Sequence, residues 1–246
     1  MSARLSILGA GGSSPPPGYA GPSLLLDSGG ARLLLDCGEG CVERLRSLGY
    51  SPCEVDAVYI THSHHDHWAG VTSLAVARVE EGCRDIRIYL HKRVAEELRV
   101  MIELLPGSVN PRTDIVEEGF KVEDIRVALV EVSHTRPTYG ALVEAGGSSV
   151  LYTSDTRLDE RLFESLSRLS GVDVLVVEAT LPSGREDVAR ETGHMTVGQA
   201  LELISKLEPR LAIPVHLTPL SLRQLRAYRL LPRNLIIPVD GVTVTL

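Results

Sequence analysis

The sequence has no run of about 18 apolar residues free of charges, which is the length that a helix needs to cross a bilayer. It has neither a basic leader nor an apolar segment before its first strand-like run, residues 4–8, so we expect a cytoplasmic protein with no membrane partner. Disorder is excluded as well, because 43% of the 246 residues are hydrophobic and the net charge of −7 is modest for this length.

Cysteine and lysine are also scarce. The four cysteines, Cys37, Cys41, Cys53 and Cys83, lack the CxxC spacing of a zinc knuckle, and we expect them to be buried free thiols. The basic residues are 22 arginines and only 3 lysines. An isoelectric point near 5.6 is unfavourable for a protein that grips polyanions through a general basic surface, which leaves a local basic path as the alternative.

Short apolar runs alternate with helical patterns along almost the whole chain, which is typical of an α/β fold. The glycine-containing segments 28–30 and 145–147 predict hairpin turns. No linker interrupts the pattern, so we predict a single domain over residues 1–246, with two mixed β-sheets packed face to face and helices outside. The predicted strands are residues 5–8, 23–27, 31–36, 57–60, 86–90, 122–132, 141–144, 149–153, 172–177, 211–215, 235–239 and 242–245. The predicted helices are residues 40–48, 71–79, 93–105, 160–169, 196–207 and 221–230.

The strongest chemical signal is the segment 61–67, Thr-His-Ser-His-His-Asp-His, directly after the apolar run 57–60. Imidazoles and a carboxylate crowded at a strand end are typical of a metal site. In a turn, His62 and His64 can face one ion while Asp66 and His67 face a neighbouring one. Nitrogen donors with one carboxylate suit zinc and related metals.

Other histidines and one aspartate also follow strand-like runs. His134, Asp155 and His216 each stand just past an apolar run, and His194 lies in a Gly-His-Met-Thr segment. Ligands gathered at strand ends from distant parts of the chain are how α/β folds build sites. Two histidines are left without a ligand role. We expect His65 to support the site from outside or to face solvent, and His91 to be an exposed or helix-capping residue.

This pattern resembles the metallo-β-lactamase superfamily over essentially the whole chain. The HxHxDH motif matches residues 62–67, and three later ligands match in order. The resemblance implies an α/β fold of the αββα sandwich type with two divalent metal ions at one edge. It assigns the first ion to His62, His64 and His134, the second to Asp66, His67 and His216, and a bridging position to Asp155.

Within that superfamily the chain resembles ribonuclease Z. The segments 8–15, 35–40, 133–135 and 155–157 look like that family. The Glu-Ala-Thr at 178–180 matches the end of its His-Glu-Ala-Thr motif, and residues 193–196 match its Gly-His-Ser-Thr loop. The resemblance implies that Glu178 and His194 cooperate in protonating the leaving oxygen.

Several positions depart from the ribonuclease Z pattern. Val177 replaces a histidine, Met195 replaces a serine, and His65 stands where the family usually has glycine. His134 and Asp155 are only 21 positions apart, which leaves room for a hairpin. We therefore expect the chain to lack the long arm with which ribonuclease Z clamps tRNA.

The resemblance implies a dinuclear-metal hydrolase, closest to a phosphodiesterase and nuclease. In that mechanism the two ions, when bound, would supply a hydroxide nucleophile for attack on phosphorus, and Asp66 would orient it and accept its proton. His194, oriented by Glu178, then acts as general acid toward the leaving oxygen. Zinc is the expected ion, and manganese or iron fits the same donors.

The sequence leaves the substrate open. RNA, including its 3′ processing, is one candidate, and a small phosphodiester, thioester or lactone is the other; a complete ligand set argues against a non-catalytic binding protein. The resemblance also suggests a homodimer. A C-terminal arginine stripe is either a phosphate track for RNA or an ordinary solvated helix face, and its members are Arg223, Arg226, Arg229 and Arg233.

Overall fold

The computed structural model describes residues 2–103, 105, 107–167, 169, 171–229 and 231–246. Thirteen strands in these residues form two sheets. In chain order the strands are β1 (Arg4–Gly9), β2 (Ser23–Asp27), β3 (Arg32–Leu35), β4 (Ala57–Ile60), β5 (Asp85–His91), β6 (Asn110–Val116), β7 (Gly119–Val122), β8 (Ile125–Val132), β9 (Thr138–Ala145), β10 (Ser148–Tyr152), β11 (Val174–Glu178), β12 (Leu211–Val215) and β13 (Thr243–Thr245).

Helices lie between the parallel strands or, in the case of the last one, follow β12. They are α1 (Cys41–Ser47), α2 (Ala69–Glu80), α3 (Lys92–Glu103), α4 (Glu160–Ser167), α5 (Glu186–Thr192), α6 (Val197–Leu207) and α7 (Pro219–Ala227), with 3₁₀ turns at Pro52–Glu54 and His65–His67. Threonine side chains cap two of them, since Thr196 accepts from the backbone N–H of Gln199 and Thr218 accepts from that of Ser221. Such caps satisfy N–H groups that the first turn leaves unpaired.

Both sheets are mixed, as the sequence predicts. The first has the order β13-β1-β2-β3-β4-β5-β6, antiparallel as far as β3 and parallel beyond it. The second has the order β12-β11-β10-β9-β8-β7, with the parallel pairs on the β12 side. Parallel strands need long crossovers, and these crossovers bring the helices onto the outer faces.

Three apolar clusters define the layers. The central one contains side chains from both sheets, for example Tyr59 and Tyr152, and so lies between them. A second cluster joins the first sheet to α1, α2 and α3, and a third joins the second sheet to α4, α6 and α7. The layer order is therefore αββα, which confirms the predicted fold class. The shared central cluster supports our proposal of a single domain.

The structure differs from the sequence-based expectations at polar edges. The predicted strand 122–132 is interrupted, because Val122 ends β7, the chain turns near Glu123, whose φ is 50°, and β8 begins at Ile125. The strand β6 and the helix α5 were not predicted, and within 235–239 the structure shows only an isolated bridge from Leu235 to Ala212. The C-terminal parts of three predicted helices include residues 104, 168 and 230, which lie outside the described residues.

The expectation for the cysteines is wrong for one pair. Cys53 and Cys83 form a disulfide that joins the 3₁₀ turn before β4 to the segment after α2. Cys37 and Cys41 are free and buried, as expected. The cross-link restricts the unfolded chain and so stabilises this part of the first sheet.

None of the helices in the described part of the chain is both long and apolar enough to span a bilayer.

Candidate metal centre

The predicted ligands lie together at one edge of the two sheets. The loop after β4 carries His62 to His67 and leads through a 3₁₀ turn into α2. The indole Nε1 of Trp68 donates to the Ser63 carbonyl at 2.9 Å and closes this loop. From the other sheet, His134 follows β8, Asp155 follows β10, and His216 follows β12. Two of these turns are sharp, since Ser154 has φ of 54° and His216 has φ of 55°.

One group of ligand atoms converges near His64. Its Nδ1 lies 3.1 Å from His62 Nε2 and 3.0 Å from His134 Nε2. Asp155 Oδ2 lies 3.6 Å from His62 Nε2 and 3.9 Å from His134 Nε2. Four donor atoms therefore surround one point, as a tetrahedral metal site requires.

A second group lies beside the first and shares Asp155. Asp66 Oδ2 is 3.2 Å from His216 Nε2 and 3.9 Å from His67 Nε2. Asp155 reaches this group as well, with Oδ1 3.3 Å from His67 Nε2 and Oδ2 3.3 Å from His216 Nε2. All seven residues that the sequence singled out are thus brought together, and Asp155 stands between the two groups.

Unpaired buried atoms test whether these residues fit a metal. Within the described residues, His67 Nε2 and Asp155 Oδ1 are buried side-chain atoms without a hydrogen-bond partner. Buried polar atoms are rarely left unpaired, because an unpaired group loses its hydration without compensation. The two atoms lie 3.3 Å apart beside the second group, so the donor set fits a cation there.

Three of the proposed ligands have pKa values shifted in the direction that metal binding needs. Burial lowers the pKa of His64 to about 4 and that of His62 well below its usual value, so these imidazoles are neutral near pH 7. Burial would raise the pKa of Asp66, but the hydrogen bond from His216 and the charge of His67 lower it to about 2. Neutral imidazoles and ionised carboxylates are the forms that bind metals.

His67 shows that the centre attracts positive charge. Burial acts to lower its pKa, yet the carboxylates of Asp155 and Asp36 raise it well above the usual value. The two buried carboxylates therefore stabilise positive charge on the ring between them, and Asp155 would stabilise a divalent ion in the same way.

Hydrogen bonds on the outer side of the cluster orient the rings. His67 Nδ1 donates to Asp36 Oδ2, His134 Nδ1 to the Gly193 carbonyl and His216 Nδ1 to Thr180 Oγ1, each at 2.8 Å. Such partners fix the tautomer, so that the opposite nitrogen faces the metal position.

Asp36 is a functional residue that the sequence analysis did not assign. It is fully buried after β3 with φ of 57°, and it accepts hydrogen bonds from the Thr61 backbone N–H at 2.8 Å and from the Tyr152 hydroxyl at 2.9 Å. The same carboxylate holds His67. Asp36 therefore ties strands of both sheets to the ligand loop.

His194 lies at the rim of the cluster and is held by Glu178. Its Nδ1 donates to Glu178 Oε1 at 3.0 Å, and its ring stacks on His216 with centroids 5.1 Å apart. Burial alone would lower the pKa of His194, but the charge of Glu178 and this hydrogen bond raise it to about 9. His194 is thus a protonated group beside the two metal positions.

Glu178 is itself fully buried and closely surrounded by donors. It accepts from the backbone N–H of Thr156 at 2.7 Å and of Met195 at 3.1 Å, and from Thr180 Oγ1 at 2.5 Å. Because Thr180 Oγ1 also accepts from His216, one carboxylate positions both His194 and a ligand ring. Glu178 was predicted from the sequence, but Thr180 was not.

The two remaining histidines lie apart from the ligand cluster. His65 is exposed, as expected. Of the two roles expected for His91, exposed residue or helix cap, the structure shows the cap. Its Nδ1 accepts from the backbone N–H of Arg93 at 3.2 Å at the start of α3. It is buried rather than exposed, and it stacks on Tyr139 with ring centroids 3.7 Å apart.

Two clefts adjoin the cluster, one at each ligand group. A cleft of about 290 Å³ begins at His134 and is bounded by the loop after β8 and by α4. A cleft of about 260 Å³ begins at Asp66 and is lined by Tyr19 and His65, among others. The C-terminal arginine stripe lies outside the residues that line either cleft; of its members, Arg226 donates to the Tyr19 hydroxyl at 3.3 Å.

Comparison with known proteins supports this interpretation. The family model described as β-lactamase superfamily domain matches residues 31–217. Ribonuclease Z of Pyrobaculum neutrophilum is 30% identical over 87% of this chain and 86% of the relative. Ribonuclease Z of Pyrobaculum calidifontis is 28% identical over 98% of this chain and 97% of the relative. That second alignment extends over 295 positions although this chain has 246 residues, so the relative contains segments that this chain lacks.

Solved structures share the fold at lower identity. The metallo-β-lactamase fold protein YhfI of Bacillus subtilis superposes with a TM-score of 0.84 and 22% identity, covering 98% of both chains. The short form of human tRNase Z superposes with a TM-score of 0.75 and 21% identity, again over 98% of both chains. A diphosphatase from the PhnP family superposes with a TM-score of 0.80 and 20% identity, covering 99% of this chain and 98% of that one.

Proposed function

Because this chain belongs to the β-lactamase superfamily and, within it, to the ribonuclease Z family, we propose that it hydrolyses phosphodiester bonds at the candidate metal centre. The chain is a metal-dependent hydrolase. One observation carries the proposal of its active site: two groups of metal-binding donors share Asp155, and the protonated His194 lies beside them.

The ligand sets follow from the two groups of donor atoms. His62, His64 and His134 would hold one ion, and Asp66, His67 and His216 the other, with Asp155 reaching both. We propose zinc, since five of the seven ligands are imidazoles and two are carboxylates, a set that manganese or iron also accepts.

Two divalent ions held by these residues would supply a nucleophile from water and neutralise charge on the phosphoryl oxygens. Asp66 is ionised near pH 7, since its pKa is about 2, and it accepts the proton of the attacking water. His194 donates a proton from its free nitrogen to the leaving oxygen, because Nδ1 is engaged by Glu178. Glu178 keeps His194 protonated and in place; a positioned acid of this kind contributes about 10²–10⁴-fold in rate.

RNA is the first substrate we propose, because the curated relatives are ribonuclease Z enzymes. A small phosphodiester is a second candidate, favoured by one observation. Between His134 and Asp155 the chain forms only the hairpin β9–β10, so no arm projects from this position. For either substrate we propose a homodimer, which light scattering of the purified protein tests.

Cleavage of two phosphodiesters by the zinc-loaded protein tests the proposal. The substrates are an end-labelled precursor tRNA with a 3′ trailer and bis-p-nitrophenyl phosphate. A single cut in the tRNA supports RNA processing, and turnover of the small diester alone supports the second candidate. If both remain intact, the phosphodiester proposal is wrong, and thioesters and lactones become the substrates to assay.

Two histidine variants from one loop control for metal loading. His64→Ala removes a proposed ligand, and we expect it to lower the metal content and abolish turnover. His65→Ala removes an exposed neighbour that belongs to neither ligand group, and we expect full metal content. Equal metal content in the two variants would contradict the ligand assignment.

A further inference from the structure

We propose that the cleft beside His134 binds a second phosphate group of the substrate. We call it the arginine cleft, and its charged lining residues are Arg93, Glu131, Arg136, Arg157 and Arg161. This inference rests on the proposed function, because it assigns the substrate a phosphate in addition to the one that is cleaved.

The arginine cleft is continuous with the metal centre. His134 belongs both to its lining and to the first ligand group. Arg157 stands two residues after Asp155, and its backbone N–H donates to the Ser133 carbonyl at 2.8 Å. This bond joins the loop after β8 to the loop after β10. A group bound in the cleft is therefore held at a fixed position relative to the scissile phosphate.

The charge of the cleft is opposite to that of the whole protein. The chain has a net charge of −7, but the cleft lining contains four arginines and a single carboxylate, that of Glu131. Glu131 pairs with Arg93 at 3.2 Å, which leaves an excess of positive charge on the α4 side. The cleft at Asp66 differs, since its lining includes Glu39 and Glu43 with Arg44 alone as a strong cation. The additional phosphate is therefore expected at His134.

The guanidinium groups are available to a ligand. Arg161 is exposed and forms no ion pair with any other described residue. Arg157 lies 3.3 Å from Asp159 and Arg136 lies 3.7 Å from Glu97, but both pairs are partly exposed to solvent. Exposed ion pairs of this kind are weak, so a phosphate dianion can replace them.

The chemistry of the lining favours phosphate over other anions. A guanidinium presents a planar set of N–H donors that matches two phosphate oxygens at once. The hydroxyls of Thr135 and Ser165 add neutral donors on the same walls. The positive charge of three arginines around one cleft of about 290 Å³ is more than a single carboxylate ligand would neutralise. A terminal phosphate carries nearly two negative charges and so matches it better.

Kinetics with three dinucleotides test the proposal. The zinc-loaded enzyme is assayed with UpU, with the 5′-phosphorylated pUpU and with the 3′-phosphorylated UpUp, so that either side of the scissile bond is sampled. We expect one terminal phosphate to lower KM by about tenfold relative to UpU, the effect of one or two charge-assisted hydrogen bonds. In Arg161→Ala the ratio of the KM for UpU to the KM for the phosphorylated dinucleotide should fall toward one. Arg161→Lys should restore part of this ratio.

A matched variant and a second substrate separate the outcomes. Arg99→Ala removes the same charge from α3 outside the cleft lining, and it should keep the wild-type ratio. Equal KM values for all three dinucleotides, or a ratio that Arg161→Ala leaves unchanged, would overturn the second phosphate site. Bis-p-nitrophenyl phosphate tests the proposed function separately. If the wild type hydrolyses neither this diester nor any dinucleotide, the proposed function itself is wrong, and the second phosphate site is rejected with it.

Discussion

Two buried aspartates at opposite edges of the sandwich show how a structural carboxylate differs from a functional one. Asp27 ends β2 and is 3% exposed, while Asp155 follows β10 and is 1% exposed. Asp27 accepts from Arg4 Nη2, from the Tyr50 hydroxyl and from the Gly29 backbone N–H, each at 2.8 Å. Asp155 instead faces histidine nitrogens at 3.3 Å or more, and its Oδ1 has no hydrogen-bond partner in the described chain.

The pKa values of the two aspartates express the same contrast. Burial would raise the pKa of Asp27, but the Gly29 N–H, Tyr50 and Arg4 together lower it. Burial would also raise the pKa of Asp155, but the neighbouring imidazoles of His216 and His67 lower it well below its usual value. The protein itself neutralises Asp27, whereas Asp155 depends on cationic charge at the site. The largest effects on function are therefore expected at Asp155 and its neighbours.

Asp155→Ala should have the largest effect of all. The variant removes the one carboxylate that reaches both ligand groups, so we expect metal content well below two ions per chain. Turnover should fall by more than about 10⁴-fold, the upper limit for loss of a general acid alone. Elemental analysis and steady-state assays measure the two quantities. Retention of both metals in this variant would contradict the bridging role.

His194→Ala should affect chemistry but not metal content. The residue lies at the rim with Nδ1 bonded to Glu178, so its loss removes the acid and leaves the seven ligands in place. We expect kcat to fall by about 10²–10⁴-fold at full metal occupancy. A substrate with a good leaving group, such as bis-p-nitrophenyl phosphate, needs less protonation and should lose less. Equal losses on good and poor leaving groups would argue for a positioning role.

Glu178→Gln should produce a smaller loss with a diagnostic pH dependence. The charge of Glu178 raises the pKa of His194 to about 9, so the acid form persists into alkaline solution and is lost as pH rises through that value. Without the negative charge the pKa of His194 falls, and the alkaline limb of the kcat profile should move to lower pH. We expect about a 10–100-fold loss in kcat, typical of residues that orient a catalytic group. An unchanged alkaline limb would contradict this coupling.

The sequence predicted which side chains gather at this edge because most of them follow an apolar strand. The strands β4 and β12 are buried along almost their whole length and β10 over its last three residues, and their residue types mark their ends clearly. The structure shows that these ends meet at one edge. The hairpins at 28–30 and 145–147 were predicted for a similar reason, since glycine pairs are strong local turn signals.

The residues that orient the ligands were harder to find. Asp36 after β3 has the appearance of an ordinary turn residue, and its partner Tyr152 lies 116 positions away. Thr180 is likewise one of many threonines until its hydroxyl is placed between Glu178 and His216. These contacts depend on how the sheets pack, which local patterns do not encode.

The missed elements are polar and depend on their neighbours. β6 is largely exposed and includes Pro111 and Asp114, so its composition does not indicate a strand, yet it pairs along its whole length with β5. The disulfide between Cys53 and Cys83 was missed because a separation of 30 residues gives no sign of spatial proximity. Tertiary pairing decides such segments more than intrinsic preference does.

Asp27→Ala is the converse of Asp155→Ala and should have the smallest effect on turnover. The variant leaves the Arg4 guanidinium, the Tyr50 hydroxyl and the Gly29 N–H without their common acceptor. We expect the free energy of unfolding to fall by about 2 kcal/mol, because hydrogen bonds to a buried charge contribute more than neutral ones. For a chain of this length the melting temperature should fall by about 4–8 °C.

Metal content and kcat should stay within twofold of the wild type, since Asp27 lies at the edge of the sandwich opposite the metal centre. Asp27→Asn should lose less stability, because the amide oxygen still accepts from Gly29 while the charge opposite Arg4 is gone. Arg32 provides little compensation: its Nε is 3.5 Å from Asp27 and makes no hydrogen bond within the described residues. The opposite result would be a loss of metal in Asp27→Ala as large as that in Asp155→Ala. Metal content would then depend on removing any buried carboxylate and not on the unpaired oxygen of Asp155, and the distinction between the two carboxylates would be wrong.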